Sequence, residues 1–416
     1  MLETLFLVDQ GILIIQPCVF FCTSQTRTNK MGFWYITLIP LLGGVVTASL
    51  GTPDDGCKLP AVSNVYLSPG FGYELNCAVS TGVQTGFVIF VDFPDTPAND
   101  DAQSVYDEFM PGGRDWYLTS SFGRLDLSLT ADTASGFVRM PAPADSYGWD
   151  RGLTAETHYN YIQDAVDAYI QAKGPIEPVE VVYIVPTRAA APITFSPTYM
   201  GEVSSRSGEH VAKKSVTFGM DAYNNWGFKV WNHEAGHTMC LPDLYPLPSG
   251  PTGQYVGGFD MMGLISGPNP DYFAWNKWRL GWLDDEQFDC ILDAGTTTHT
   301  LSPVSESEGS PVKGVVIKRS GTDVLVAEVR SNGGNDSGAC AQGVLVYHVS
   351  TTTQTGNGPI RVLDANPGSG GCDGDELNDA PLSLSGASSL YVEEWGVTVT
   401  VVGQEGNDYT IEVQAD

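Results

Sequence analysis

Two histidines and a glutamate stand close together in residues 231–245, which read WNHEAGHTMCLPDLY. The centre of this segment, His233 to His237, has the pattern H-E-x-x-H. On a helix, positions four apart lie nearly above one another, so His233 and His237 point to the same side. Two imidazoles on one helical face can hold a zinc ion, and Glu234 then stands beside the open coordination position as a base for water. The segment therefore predicts a catalytic zinc site on a helix.

A third zinc ligand must come from downstream, because a catalytic zinc usually has three protein ligands and one water. In the pattern H-E-x-x-H-x-x-G-x-x-H the third ligand lies six residues after the second histidine, and that position is Asp243 in this chain. A carboxylate oxygen is an acceptable zinc ligand. A glutamate on a later helix is disfavoured, because no Glu occurs between Leu244 and Asp285.

A methionine-containing turn, VGGFDMMG, follows at residues 256–263. In zinc proteases of the metzincin type, such a turn forms a hydrophobic floor beneath the metal. We favour Met262 over Met261 for this role, although most methionines simply pack in cores. An H-E-x-x-H pattern also occurs by chance in ordinary helices. The combination of Asp243 and the turn favours the zinc site.

Several segments, taken in order, resemble the immune-inhibitor-A-type secreted metalloproteases. They are HEAGHTMCLPDLY at 233–245, VGGFDMMG, and WNKWRLGWL at 275–283, with GFVIFVDF at 86–93 and SFGRL at 121–125 upstream. That family shows H-E-x-G-H, L-P-D-x-Y, G-x-x-D-x-M and K-x-x-x-G-W-L in the same order. The resemblance covers most of residues 86–290. It implies zinc-dependent endopeptidase activity on protein or peptide substrates and a metzincin-like catalytic fold.

Cys240 departs from this family pattern, which has glycine at the position. Glycine lets the chain leave the helix with a positive φ and return the third ligand to the metal. A side chain in that conformation costs about 1 kcal/mol or more. We therefore expect either a different helix end or a disulfide that holds Cys240. Zinc ligation by Cys240 is a weaker alternative, because Asp243 already completes the ligand set.

The charge of the chain is strongly negative. Its 416 residues include 20 basic and 49 acidic side chains, for a net charge of −29, and 42% of the residues are hydrophobic. The length allows two domains with a large core. An acidic chain repels nucleic acid and anionic membranes, so we expect neither as a partner.

The N-terminal residues resemble a secretion signal rather than a folded domain. Residues 31–48 form an apolar run, and Val46-Thr47-Ala48 fits the small-residue cleavage pattern. We predict that residues 1–48 are an N-terminal extension and signal peptide, cleaved after Ala48, with Met31 as an alternative start. A membrane anchor is disfavoured because prolines and glycines interrupt the apolar runs. The mature chain is expected to be secreted, without stable insertion into a membrane.

Cysteine usage supports an oxidising compartment. An even number of cysteines in a secreted chain favours disulfides. Six remain after residue 48, and proximity along the chain predicts the pairs Cys57–Cys77, Cys340–Cys372 and, by remainder, Cys240–Cys290.

The mature chain is expected to have three parts: a short lead-in at 49–85, a catalytic domain of α/β (α+β) class at 86–290, and an all-β sandwich at 291–416. Residues 86–93 and 179–185 are continuous apolar runs typical of buried strands, and 154–172 has helical periodicity. The zinc helix is predicted to begin near Trp226, capped by Asn224 or Asn225. Residues 187–220 are predicted to be a long loop beside a substrate cleft. In 291–416, short alternating runs separated by Gly, Ser, Thr and Asn predict the antiparallel sandwich.

Two further groups of side chains have competing interpretations. Trp275, Trp278 and Trp282 recur at helical spacing, which favours a packed helix face over a sugar-binding platform. Three acidic residues in one loop favour a solvated surface, with a calcium site as the alternative: Asp95, Asp100 and Asp101.

These observations predict a secreted zinc endopeptidase in which His233, His237 and Asp243 hold the metal and Glu234 is the general base. Two alternatives stay open. One is a secreted, non-catalytic binding protein on a metalloprotease scaffold. The other is zinc-dependent hydrolysis of a different bond, because a zinc site does not by itself specify the substrate.

Overall fold

The computed structural model describes residues 56–73, 75–223, 226–267 and 270–416. The predicted extension, signal peptide and cleavage site at 1–48 lie outside the described residues, as do residues 49–55 of the lead-in. The predicted helix caps Asn224 and Asn225 also lie outside them. Within the described ranges, no helix combines the length and apolarity that a membrane crossing requires.

The first sheet is mostly parallel and occupies the N-terminal half. Its strands are β1 (Gly82–Asp92), β2 (Leu125–Ala131), β3 (Val138–Arg139), β4 (Val179–Pro186), β5 (Thr198–Tyr199), β6 (Val203–Ser204) and β7 (His210–Thr217). The main order is β2-β1-β4-β7-β5, with β3 beside β1 and β6 beside β7. Only β5 and β6 run antiparallel, and both pair with β7. The fold of this half is therefore of mixed α/β class.

Strand β1 begins four residues earlier than expected. Three of its first four residues are exposed and the four form no apolar run, yet they pair in register with β2. From Gly86 onward the strand is buried on both faces. Alternate side chains point to opposite sides, so Val88 and Phe90 enter one core while Ile89 and Val91 enter another.

The described residues form five α-helices: α1 (Ala102–Tyr106), α2 (Gly112–Ser120), α3 (Ala155–Lys173), α4 (Phe228–Thr238) and α5 (Ala274–Arg279). Helix α3 confirms the predicted helix at 154–172, with Thr154 capping the N–H of Thr157. Helix α4 begins two residues later than expected, because Gly227 has a positive φ of 48° that is incompatible with a helix. Helices α3 and α4 pack in the cores on opposite faces of the first sheet.

The predicted loop at 187–220 is partly wrong, because it contains the short strands β5 and β6 and the eight-residue strand β7. Lys213 and Lys214 interrupt the apolar pattern of β7, so this strand is not evident from the sequence. Lys214 is nevertheless buried, and its ammonium group donates to the carbonyl of Leu75 at 2.9 Å. Lys213, on the other face, pairs with Glu180 at 2.8 Å. A cationic side chain can occupy a buried strand when its charge is satisfied in this way.

Two further sheets form the C-terminal half. The second contains β8 (Phe288–Ile291), β10 (Gly314–Lys318), β11 (Asp323–Arg330), β12 (Gly343–Ser350) and β13 (Ile360–Leu363), and the third contains β9 (Gly295–Leu301), β14 (Ser389–Val392), β15 (Val397–Glu405) and β16 (Asp408–Ala415). Side chains from both sheets meet in one core, which confirms the predicted sandwich. The pairing is antiparallel except between β8 and β10.

The second sheet is buried on both faces. Val315 and Leu325 face the sandwich core, whereas Val316, Val326 and Tyr347 face the core that contains helix α4. The three tryptophans join this same core, with Trp275 and Trp282 fully buried and Trp278 3% exposed, which confirms that they are packing residues. The sandwich is therefore packed directly behind the helix that carries the H-E-x-x-H pattern.

Two of the three predicted disulfides are wrong. The bonds are Cys57–Cys290, Cys77–Cys240 and, as predicted, Cys340–Cys372. The lead-in contacts both halves. Cys57 lies against β10, where its sulfur is 3.6 Å from the carbonyl of Val316. The next residue after Cys77 donates to the carbonyl of Thr238 at the end of α4. The two cysteines nearest in sequence thus lie at different places in the fold.

Candidate metal centre

Helix α4 places three of the four predicted site residues. His233, Glu234 and His237 are all buried, with exposed fractions of 4, 7 and 8%. Asp243 follows in the loop after the helix, and its Oδ1 lies 3.1 Å from Nε2 of His237 and 3.3 Å from Nε2 of His233. One ligand atom from each of these three residues lies within 4.8 Å of the others. Among the described residues, this is the only group of three or more His, Cys, Asp or Glu side chains with such spacing.

Backbone carbonyls set the orientation of both imidazoles. Nδ1 of His233 lies 2.8 Å from the carbonyl oxygen of Met261, and Nδ1 of His237 lies 2.8 Å from that of Leu241. A carbonyl can only accept, so each Nδ1 carries a proton, and Nε2 is the nitrogen that a metal ion could bind. This second contact, made by the nitrogen that does not bind the ion, is typical of metal-binding histidines. Both Nε2 atoms are therefore presented as ligands toward Asp243.

Asp243 is held by a residue from the sandwich half. Its backbone N–H donates to Oγ1 of Thr355 at 2.8 Å, and the Thr355 hydroxyl donates to Oδ2 at 3.2 Å. The next residue, Gly356, donates its N–H to the carbonyl of Asp243 at 3.0 Å. Both residues lie in the loop between β12 and β13. No motif in the sequence indicates Thr355, because its role depends on how the two halves pack.

The loop after α4 turns back through a positive-φ residue. Cys240 has φ +65°, the conformation that glycine favours, and it is bonded to Cys77. Its N–H donates to the carbonyl of His237, and the N–H of Leu241 donates to the carbonyl of Gly236. These two bonds are the Schellman pattern that ends many helices. Of the two expectations for Cys240, the disulfide is therefore present and the helix ends as it would with glycine.

The methionine turn packs against α4 beside the two histidines. A Cβ added to Gly236 would lie 2.5 Å from the sulfur of Met262, so this side chain fits directly against the helix between the two histidines. Met261 contributes its carbonyl to His233, and the carbonyl of Met262 accepts from the N–H of Leu244. The turn thus contacts both the histidine helix and the loop that carries Asp243.

A buried carboxylate braces that turn. Asp260 is fully buried and accepts from the N–H groups of Met262 and Phe273 and from the side-chain amide of Asn276. Burial raises the pKa of Asp260 to about 7, although the three donors favour its charged form. The aspartate in the turn therefore joins it to the segment that leads into α5.

Glu234 is held from the edge of the first sheet. The hydroxyl of Thr198, in β5, lies 2.7 Å from Oε2 of Glu234 and 2.9 Å from its carbonyl oxygen. Burial raises the pKa of Glu234 above its ordinary value, and the neighbouring histidines act in the opposite direction. The contact with Thr198 occupies one carboxylate oxygen, which leaves Oε1 for another partner.

The electrostatic balance of the group favours a cation. Burial disfavours the charge on Asp243, but the two histidines lower its pKa far below its ordinary value. Burial also lowers the pKa of His237, yet the adjacent Asp243 carboxylate more than offsets this and raises it to about 9. Asp243 thus favours a positive charge beside it, either a proton on His237 or a divalent metal that takes the place of that proton.

An open cleft of about 1050 Å³ adjoins the group, and parts of the segment predicted to border a cleft, residues 195 and 197–201, line it. Thr198, Tyr245 and Thr355, which surround Glu234 and Asp243, also line it. Of the tyrosines near the motif in sequence, Tyr245 faces this cleft, with its ring 5.9 Å from that of His233. Tyr272 is instead buried against the carbonyl of Asn232.

The acidic loop does not form a second metal centre. Asp95 accepts from the N–H of Ala144, Asp100 binds the Thr187 and Arg188 segment, and Asp101 caps helix α1. Each carboxylate has its own structural partner, and within the described ranges the three do not converge on one point.

Comparison with known proteins does not assign the chain to a family. No protein-family model matches the sequence, and no curated protein matches it. The chemistry of the site is therefore inferred from its own donor atoms and their surroundings.

Proposed function

We propose that this protein is a secreted zinc-dependent endopeptidase with a metzincin-like catalytic domain. His233 and His237 would hold the ion through Nε2, and Asp243 through Oδ1. The observation that carries the proposal is the convergence of these three donor atoms within 4.8 Å, next to Glu234 and an open cleft. Two neutral imidazoles, one carboxylate and room for water make up the usual ligand set of a catalytic zinc.

A zinc ion at this site supplies Lewis-acid chemistry, which polarises a carbonyl and lowers the pKa of water. Glu234 accepts the proton of the attacking water through Oε1 and then passes it to the leaving amine. Thr198 keeps the Glu234 carboxylate in one orientation through Oε2. Tyr245 lines the same cleft, and we expect its hydroxyl to donate a hydrogen bond to the substrate.

The form of the cleft suits an extended polypeptide. Its volume of about 1050 Å³ is at the upper end of the range for small-molecule pockets. Strand β5, which carries Thr198, is the last strand in the main order of the first sheet and lines the cleft. An extended substrate can therefore pair with this edge strand through backbone hydrogen bonds.

The three disulfides support a secreted protein, because such bonds persist in oxidising compartments. The resemblance to the immune-inhibitor-A-type proteases supports the same activity.

The test compares zinc content and casein hydrolysis in the wild type and Glu234→Gln, both expressed from Leu50 onward. We expect both proteins to hold one zinc per chain and only the wild type to cleave casein. Glu209→Gln, which changes an exposed glutamate outside the site, serves as the matched control and should cleave normally. A chelator should abolish cleavage, and added zinc should restore it.

The outcomes separate the competing functions. A wild type that holds no zinc refutes the proposal. A wild type that holds zinc but cleaves no protein favours the non-catalytic binding protein or hydrolysis of a different bond. Equal cleavage by Glu234→Gln would leave zinc binding intact but remove Glu234 from the mechanism.

A further inference from the structure

The wall of the cleft carries one permanent charge. Among the described residues that line it, Arg151 is the only arginine, lysine, aspartate or glutamate. The other lining residues are aromatic, aliphatic, hydroxyl-bearing or amide side chains, together with His158. Burial lowers the pKa of His158 to about 4, so this histidine is neutral at physiological pH. The cleft therefore has a single fixed positive charge beside the proposed metal group.

The Arg151 side chain is exposed and has no ionic partner within the described ranges. No carboxylate oxygen of these residues lies within 4.0 Å of its guanidinium, which also makes no hydrogen bond to them. It lies instead over the ring of Phe195, with 4.6 Å between the guanidinium carbon and the ring centroid. Stacking on an aromatic face holds a guanidinium in place and leaves its N–H donors available.

Nearby carboxylates are engaged elsewhere. Burial raises the pKa of Asp221, and the Arg151 charge is close enough to act weakly in the opposite direction. The two oxygens of Asp221 accept from the N–H and the hydroxyl of Ser196. Asp150, next to Arg151 in the chain, accepts from the N–H of Gly152. Arg151 and Tyr245, whose ring lies 5.9 Å from that of His233, line the same cleft. The arginine therefore borders the cleft that adjoins the proposed metal group.

This arrangement differs from the other arginines near the first sheet. Arg114, Arg124 and Arg188 each have a carboxylate partner at 2.7 Å or less. The chain has 49 acidic residues for 20 basic ones, so partners for an arginine are abundant. A guanidinium that faces the cleft without a carboxylate at contact distance is available to a ligand, and its planar fork of donors matches a carboxylate.

We propose that Arg151 gives the cleft a preference for substrates that carry a carboxylate close to the bond to be cleaved, in the first instance an acidic side chain. This inference rests on the proposed endopeptidase function. A free C-terminal carboxylate has the same chemistry and is distinguished by the test. Hydrogen bonds to a charged group are strong enough to favour Glu over Gln by roughly tenfold.

The test uses short, quenched fluorescent peptides that are otherwise neutral and differ only in carrying Glu, Gln or Lys at one position. This position is moved stepwise along both sides of the cleaved bond. For the wild type we expect one position at which Glu raises kcat/KM roughly tenfold over Gln. Arg151→Gln should remove this preference, so that the Glu and Gln peptides are cleaved with similar kcat/KM. Arg151→Glu should instead favour the Lys peptide.

Arg319→Gln is the matched control, since it removes one exposed positive charge outside the cleft. The control should keep the preference of the wild type. A preference for Glu that survives in Arg151→Gln, or equal cleavage of all three peptides by the wild type, overturns the inference. If the preference follows a free C-terminal carboxylate and is lost with a C-terminal amide, Arg151 binds the C-terminus of the substrate instead of an acidic side chain.

Binding separates this inference from the proposed function. Fluorescence anisotropy measures the affinity of labelled Glu and Gln peptides for Glu234→Gln and for the same protein with Arg151→Gln. Tighter binding of the Glu peptide that depends on Arg151 supports the inference, even if the wild type cleaves nothing. Casein cleavage by the wild type without any Arg151-dependent preference overturns the inference and leaves the endopeptidase proposal standing.

Discussion

The conformation of Cys240 predicts that glycine gives a more stable protein than alanine at this position, the reverse of the order inside a helix. In the interior of a helix, replacing glycine by alanine stabilises a protein by about 1 kcal/mol. Cys240 has φ +65°, where a Cβ costs about 1 kcal/mol or more. Once the Cys77–Cys240 bond is removed, replacing Cys240 by glycine should therefore give a more stable protein than replacing it by alanine.

The magnitude follows from two separate contributions. With Cys57–Cys290 intact, the Cys77–Cys240 bond closes a ring made of residues 57–77 and 240–290, which is about 70 residues. Loss of such a closure costs about 4 kcal/mol in the chain-entropy description of disulfides. The double variant with Cys77→Ser and Cys240→Ala loses this stability. The variant with Cys77→Ser and Cys240→Gly should recover about 1 kcal/mol of it, because it relieves the strain at φ +65°.

Chemical denaturation of the two double variants measures this difference directly. Ala168→Gly, on the middle of helix α3, is the control and should destabilise by about 1 kcal/mol, with the opposite sign. Zinc affinity should follow the same order as stability, since Cys240 begins the loop that returns Asp243 to the histidines. If the alanine variant is as stable as the glycine variant, the reasoning about this helix end is wrong.

Three other predictions concern the surroundings of the site. Thr355→Ala should weaken zinc binding by roughly 10-fold to 100-fold in a competitive chelator titration, whereas Thr355→Ser should retain it, because the hydroxyl orients the aspartate ligand. Gly236→Ala should lower the free energy of unfolding by about 1–3 kcal/mol in urea, since its Cβ would lie 2.5 Å from the Met262 sulfur, and Met262→Ala in the same chain should recover part of the loss. His158 has its pKa lowered to about 4 by burial, so the unfolded chain takes up the proton first as pH falls. Its contribution to stability is complete above about pH 6.5 and is lost by up to about 3 kcal/mol as pH falls to 4. His158→Gln should therefore flatten the melting temperature against pH in this window, and an unchanged slope would contradict the assignment.

The candidate site could be recognised from the sequence because its main elements are local. His233 and His237 lie on one face only if the segment is a helix, and that helix is among the elements that pattern alone predicted correctly to within a few residues, as are α3, β4 and β11. Helical periodicity and buried apolar runs arise from neighbours in the chain, so a short window of sequence contains them. The sandwich was recognised for the same reason, from its alternating runs.

Tertiary structure alone decided the contacts between residues that are far apart in the chain. The pairing of Cys77 with Cys240 depends on the path of the lead-in across the molecule, and nearness in sequence predicted the wrong partner. Thr355 lies more than a hundred residues from Asp243 and carries no motif, yet it holds that carboxylate. Nothing in the sequence distinguishes Arg151 from the other arginines. Only the fold places it at the cleft, without a carboxylate partner among the described residues. Such contacts are set by how the two halves pack, because partner choice over long separations reflects the whole chain rather than any local preference.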